Sequence, residues 1–369
     1  MRTLGLQSQK SQIDFPLILI TAFLVIFGLI MIYDASVVAA FRDFGDRLYY
    51  FKNQLIWASV GTIALFFASL IDYHKLIRLS PIIFISALFF LVIVLIPHIG
   101  TKVYGANRWI NIGKLTFQPS EFAKLALIFY QTAILAKFQN YRMRLLDVLQ
   151  VLFLPTLVMT ALVLLEPDLG TALIFIGITT TIYFVGNGPL FHFALALPTF
   201  IIAAALAIIT KPYRLSRLKA YLDPTFDPQG ASYQINQILI ALKNGGLLGV
   251  GIGASRGKFD FIPEVHSDAI FSVIAEELGF VGSVFLIALF LLLAKKAINI
   301  ARGARDFEGR VLASAIVVLV AIQSLLNIAS NVALIPLTGI PLPFISYGGS
   351  SLVVTMLSIG ILINIKRQS

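Results

Sequence analysis

The chain has 369 residues, 58% of them hydrophobic and 12% charged, and a mean hydropathy of +0.91, values that exclude an ordinary soluble domain. The net charge of +10 is not accompanied by a basic helix interleaved with aromatics or by a recognisable nucleic-acid module, so nucleic acid is not an expected partner. With no cysteine in the chain, disulfide frameworks and thiolate metal sites are excluded.

The expected fold is all-α. Ten apolar stretches, near 15–34, 54–71, 79–98, 119–137, 147–165, 169–186, 190–210, 268–294, 310–335 and 345–365, each read as a membrane-crossing helix. Lipid offers no partner to an open backbone, and the runs are too continuously apolar for alternating barrel strands. The first run, preceded by Arg2 and Lys10, resembles a signal peptide, but its core is too long and it is expected to be retained. Basic residues concentrate on alternate connections, including Lys75, Arg142, Arg144, Lys295 and Lys366, which places both termini in the cytoplasm. Connections are mostly short, so residues 1–369 read as one domain, with a large outer loop, 211–267, between helices seven and eight.

The outer segment 99–118, "IGTKVYGANRWINIGKLTFQ", reads as a loop rich in Gly, Asn and aromatics. In "QPSEFAKLALIFY" (118–130), Pro119 suits a first helical turn, and Glu121 and Lys124 share a face three residues apart. An ion pair facing a cavity is expected there, either stabilising the bundle or touching substrate. "YRLSRLKAYLDP" (213–224) brings Arg214 and Arg217 to the membrane edge, where they either snorkel to headgroups or clamp phosphates. The apolar period at 235, 238, 239 and 242 predicts a helix over 232–246 that ends in glycines. "GGLLGVGIGASRGK" (245–258) has no nucleotide signature and reads as a flexible loop able to approach a ligand.

"PEVHSDAIFSVIAEELG" (263–279) concentrates acid ahead of and inside an apolar run. Asp268 falls at the membrane surface, as a proton acceptor or as a helix N-cap. Glu276 and Glu277 lie within the span, where a salt bridge or hydrogen bond inside the bundle competes with direct chemistry. "PLPFISYGGSSL" (341–352) joins proline, glycines and serines where a helix re-enters the membrane, for close packing or for a lipid groove.

"GANRWINIG", "QPSEFAK", "EPDLGTA", "YRLSRLKAYLDP", "QINQILIALKNGGLLGVGIG", "PEVHSDAIFSVIAEELG" and "PLPFISYGGSSL" occur in the order found in the SEDS family (shape, elongation, division and sporulation), which this chain resembles. The resemblance implies a ten-helix glycosyltransferase that polymerises lipid II into β-1,4 glycan strands at the outer membrane face, with undecaprenyl pyrophosphate as leaving group. It also implies that Asp268, in the His266-Ser267-Asp268 counterpart of the family's His-Thr-Asp motif, is the catalytic base. Ala269 stands where the family usually has phenylalanine. Glu121 and Lys124 match functional positions of the fourth helix.

Arg108, Arg214, Arg217, Lys258, Asp260, His266 and Ser346 are expected, with Glu121 and Lys124, to contact substrate, while Glu264, Glu276 and Glu277 are expected as structural or supporting residues. A divalent cation, Mg2+ or Mn2+, near Asp268 and Asp260 is the one cofactor expected, with no nucleotide and no haem. The expected partners are lipid II, undecaprenyl-linked glycan, a class B penicillin-binding protein and proteins of the divisome or elongasome. The short Ser255-to-Lys258 link resembles division-type members (FtsW) more than elongation-type ones (RodA). A flippase would set its critical charges at the bilayer midplane, and a non-catalytic scaffold would tolerate loss of Asp268.

Overall fold

The structure, a computed structural model, describes residues 14–103, 106–113, 115–139, 145–189, 191–192, 205–206, 208–255, 257–258, 263 and 265–369. It is mostly helical. Among the described residues, six helices are long and apolar enough to cross a membrane: Phe15–Phe44, Tyr49–Leu70, Leu146–Leu165, Ile270–Arg302, Phe307–Asn331 and Gly349–Gln368. Ser80–Ile93 and Leu169–Val185 are shorter apolar helices, and the run expected at 190–210 lies almost wholly outside the described residues.

In chain order the helices are α1 (Phe15–Phe44), α2 (Tyr49–Leu70), α3 (Tyr73–Arg78), α4 (Ser80–Ile93), α5 (Pro119–Lys137), α6 (Leu145–Val148), α7 (Leu154–Leu165), α8 (Leu169–Val185), α9 (Pro212–Leu222), α10 (Tyr233–Gly245), α11 (Ile270–Arg302), α12 (Phe307–Asn331) and α13 (Gly349–Gln368). Local chemistry sets several boundaries. Asp14 accepts from the Leu17 amide at 3.2 Å to start α1, and Gly45, at φ 70°, ends it. Between α6 and α7, residues Leu149–Phe153 form a π-helical turn. It precedes Pro155, which has no N–H for a regular helical bond.

The all-α expectation needs one correction. The segment expected as a loop at 99–118 forms a three-stranded antiparallel sheet in the order β1 (Gly100–Val103), β2 (Ala106–Ile112), β3 (Leu115–Phe117), with Trp109 opposite Thr101 and Asn111 opposite Thr116. Its Thr, Val, Ile and Trp residues favour strands, and Gly113, at φ 65°, supplies the turn between β2 and β3.

Helix α13 is buried along almost its whole length, as expected for a helix that is apolar all round. It packs along α2 at backbone range: a Cβ on Gly360 would stand 2.3 Å from the Leu65 carbonyl oxygen. Small residues permit this approach, which lipid alone does not drive. Helix α12 is the other deeply buried element, contacting α5, α8, α11 and α13. Helix α12 carries Gln323, Asn327 and Asn331, three of the polar side chains described next.

Candidate active site

Residues 265–269 form turns, and α11 then begins with Ala269 as its N-cap and no side-chain cap bond. The N-cap is thus Ala269, one residue past Asp268, which corrects the reading of Asp268 as the N-cap residue. The backbone carbonyl of Asp268 instead accepts from the side-chain amides of Asn327 (2.9 Å) and Asn331 (2.7 Å). Asn327 also donates to the Ile340 carbonyl at 2.7 Å, so one buried amide joins the turn holding Asp268 to the segment between α12 and α13. Asp268 is half-buried. Gly339 lies beside it at φ 70°, where a Cβ would be 3.7 Å from Asp268 Oδ2.

His266 is fixed by aromatic packing. Its ring lies 4.1 Å from that of Tyr50 and 5.5 Å from that of Tyr347, centroid to centroid, and the Tyr347 amide donates to its carbonyl at 2.8 Å. Burial pushes the imidazole down to about 4, opposed by the negative charge of Asp43, so it is neutral near pH 7. Ser346 closes the neighbouring turn: its Oγ accepts from the Leu342 amide at 2.7 Å, and its carbonyl accepts from Gln54 Nε2 at 3.3 Å.

Glu276 and Glu277, two turns below Asp268, hold a second network. Glu276 accepts from Asn244 Nδ2 (3.0 Å), Ser255 Oγ (2.5 Å) and the Gly257 amide (3.3 Å). Glu277 accepts from the Ser255 amide and from Lys258 Nζ, both at 3.2 Å, and Lys258 also reaches Asp34 of α1 at 2.9 Å. Lys258 is buried between these two carboxylates. The glycine loop meets α11 where the helix breaks at Gly279 (φ 67°, ψ −165°). Val250 and Gly251 donate to the Glu276 and Glu277 carbonyls, and Phe280 and Val281 donate to Gly246 and Leu247, all at 2.9–3.1 Å. A Cβ on Gly249 would be 2.0 Å from the Glu277 carbonyl oxygen, so the loop is an interlocked part of the helix rather than a free flap.

The spacing of Glu121 and Lys124 produces the expected ion pair, at 2.7 Å. Gln323 of α12 completes it, accepting from Lys124 at 3.1 Å and donating to the Pro341 carbonyl and Ser351 Oγ. The pair is buried in the bundle.

The arginines divide. Arg108 on β2 donates to the Glu166 carbonyl at 2.9 Å and to that of Pro167. Arg214, buried on α9, donates to the Tyr213 hydroxyl at 2.7 Å and to the Leu164 carbonyl at 3.3 Å. Both thus serve the free carbonyls at the end of α7. Arg217 is exposed and donates to the Leu337 carbonyl at 3.2 Å. Asp260 and Glu264 lie outside the described residues.

The structure therefore gathers Asp268, His266 and Ser346 at one end of the bundle. It places Glu276, Glu277 and Lys258 below them, Glu121 and Lys124 deeper against α12, and Arg108 and Arg214 at the end of α7. The sequence reading missed Gln323, Asn327 and Asn331, whose spacing of four within an apolar run was the available signal. It also missed Asp34, the last residue of the first expected span.

The family model of FtsW/RodA/SpoVE, described as cell cycle protein, matches residues 15–369. The chain is 39% identical to stage V sporulation protein E of Bacillus subtilis, over 98% of this chain and 99% of that protein. It is 41% identical to a probable peptidoglycan glycosyltransferase FtsW of Trichlorobacter lovleyi, over 96% and 93%. Among solved structures, a chain of a peptidoglycan synthase complex that coordinates polymerization and crosslinking superposes with a TM-score of 0.79, at 28% identity over 96% of this chain and 98% of that one. The rod shape determining protein RodA of Thermus thermophilus gives a TM-score of 0.70, at 26% identity over 96% and 97%.

Proposed function

The chain belongs to the FtsW/RodA/SpoVE family of cell cycle proteins, and from that premise we propose that it is a peptidoglycan glycosyltransferase polymerising lipid II into β-1,4 glycan strands, on the division branch of the family. The observation that carries the reading is the clamped backbone of Asp268. Two asparagine amides hold its carbonyl at the turn that leads into α11, and Gly339 stands beside its carboxylate.

In this proposal all of residues 1–369 form one ten-span domain with both termini cytoplasmic and 211–267 outside. Asp268 accepts the proton of the acceptor 4-hydroxyl as that oxygen bonds to the anomeric carbon of the donor. The bond from that carbon to the lipid pyrophosphate breaks, and the configuration inverts. The negative charge that develops lies on the departing pyrophosphate. Arg217 is the guanidinium for the pyrophosphate because it is exposed and uses one N–H on the Leu337 carbonyl, whereas Lys258 and Arg214 are buried against protein acceptors.

Among the described residues no three His, Asp or Glu side chains come together as a metal cluster. Asp260, expected to share a Mg2+ or Mn2+ ion with Asp268, lies outside the described residues, and every step above is carried by the chain's own residues. A class B penicillin-binding protein is the proposed partner, supported by the likeness to a synthase complex that couples polymerization to crosslinking.

The test is polymerisation itself. Purified protein with its transpeptidase partner, given labelled lipid II in detergent, is expected to produce glycan polymer on a gel. A folded complex that leaves lipid II unconverted contradicts the reading.

A further inference from the structure

A cavity of about 480 Å³ opens between the start of α9 and the start of α10. Its walls carry Tyr213 and Tyr233, the amides of Gln229 and Gln234, the hydroxyl of Ser216 and the guanidinium of Arg217. Among the described residues no carboxylate lines it, and Lys211 and Lys219 of the same segment stay out of it. This is not the chemistry of a bare phosphate site, which gathers cations. Aromatic faces with amide and hydroxyl groups suit a sugar ring, whose C–H face packs on a ring while its hydroxyls and acetamide take hydrogen bonds.

Two bonds tie the cavity to Asp268. Gln234 Nε2 donates to the carbonyl of Pro263, another lining residue, five positions before Asp268, at 3.4 Å. Arg217 donates to Leu337, two positions before the Gly339 that flanks the Asp268 carboxylate. The cavity is therefore braced on both segments that bracket the proposed base. Tyr213 is itself anchored, its hydroxyl donating to the Pro167 carbonyl at 3.0 Å while accepting from Arg214.

We infer that this cavity binds an N-acetylated amino sugar of the lipid-linked donor, with Arg217 at its rim toward the pyrophosphate. The inference rests on the glycosyltransferase reading and adds to it a sugar subsite built from Tyr213, Tyr233, Gln229 and Gln234.

The experiment compares two ligands, lipid II and undecaprenyl pyrophosphate, which differ by the sugar and its peptide. Binding is measured by titration in detergent on the Asp268→Asn protein, so that no turnover consumes the ligand. Tyr233→Leu is expected to raise the Kd for lipid II roughly tenfold. Gln229→Ala and Gln234→Ala should each raise it roughly three- to tenfold. The Kd for undecaprenyl pyrophosphate should not change in these variants, whereas Arg217→Gln should weaken both ligands. Gln229 is exposed, so its variant keeps the test readable if a tyrosine variant fails to fold.

Equal losses for both ligands, or none for lipid II, would overturn the sugar subsite. Polymer from the wild type with unchanged Kd values in the variants would sink this inference alone. Selective Kd losses without any polymer would sink the glycosyltransferase reading alone.

Discussion

At the end of the bundle that carries the C-terminus, His74 lies between Asp72 and Asp306, with ring nitrogens 2.7 and 2.9 Å from their carboxylates. At the other end of α12, roughly 37 Å away at about 1.5 Å per residue, His266 lies between Tyr50 and Tyr347. Burial opposes the charge on His74, but the hydrogen bonds to Asp72 and Asp306 outweigh it and the pKa is raised. For His266 burial wins and the pKa falls to about 4. One end is closed by charge. The end that holds Asp268 is closed by rings and amides, which fix the backbone without bringing an imidazolium beside the carboxylate.

The comparison breaks most visibly where a charge is buried between the two ends. Glu121→Ala leaves Lys124 without its carboxylate and should destabilise the protein by about 3–5 kcal/mol, read as a lower thermal midpoint in detergent. Glu121→Gln, which keeps an acceptor, should lose less. Equal midpoints for Glu121→Ala and wild type would show that Gln323 alone satisfies the lysine.

A smaller effect separates the histidines by sign. The pKa of His266 in the folded protein, about 4, lies below its usual 6.5, so between these values the unfolded chain binds a proton that the native state does not. Stability is full above pH 6.5 and falls as pH drops through this window, by at most roughly 3 kcal/mol. His266→Phe keeps the ring packing and should flatten the fall in melting temperature between pH 7 and pH 5. An unchanged fall would mean that another group titrates there.

The smallest effect is the opposite one. The raised pKa of His74 contributes stability that is complete below its usual value and is lost as pH rises through the folded one. Its side chain is 37% exposed, and solvent screening holds the contribution under about 1 kcal/mol. The advantage of wild type over His74→Gln should shrink from pH 6 to pH 8. An advantage that grows would reverse the sign argued here.

How much of this was legible follows from distance along the chain. The Glu121–Lys124 pair was readable because both partners lie on one helical turn, whereas Gln323, about 200 residues on, was not. The helix at 232–246 appeared in the sequence as a period and is found at Tyr233–Gly245. The break at Gly279 was hidden, because a glycine inside an apolar run also fits a continuous helix, and its partner loop at 246–251 read only as flexible. The polar ladder Gln323, Asn327, Asn331 was overlooked since apolar neighbours dominate that run. The sheet over 100–117 was missed for another reason: three short strands punctuated by Gly and Asn carry too little alternation to outweigh a loop reading.

The central claim, that Asp268 takes the acceptor proton, is tested most directly by Asp268→Asn assayed for lipid II polymerisation together with its transpeptidase partner. The amide keeps the size of the side chain, and the asparagine clamp acts on the backbone carbonyl, so the melting temperature and partner binding should match wild type. The polymerisation rate should fall by roughly 10²- to 10⁴-fold. A folded, partner-bound Asp268→Asn protein that polymerises lipid II at the wild-type rate would contradict the account.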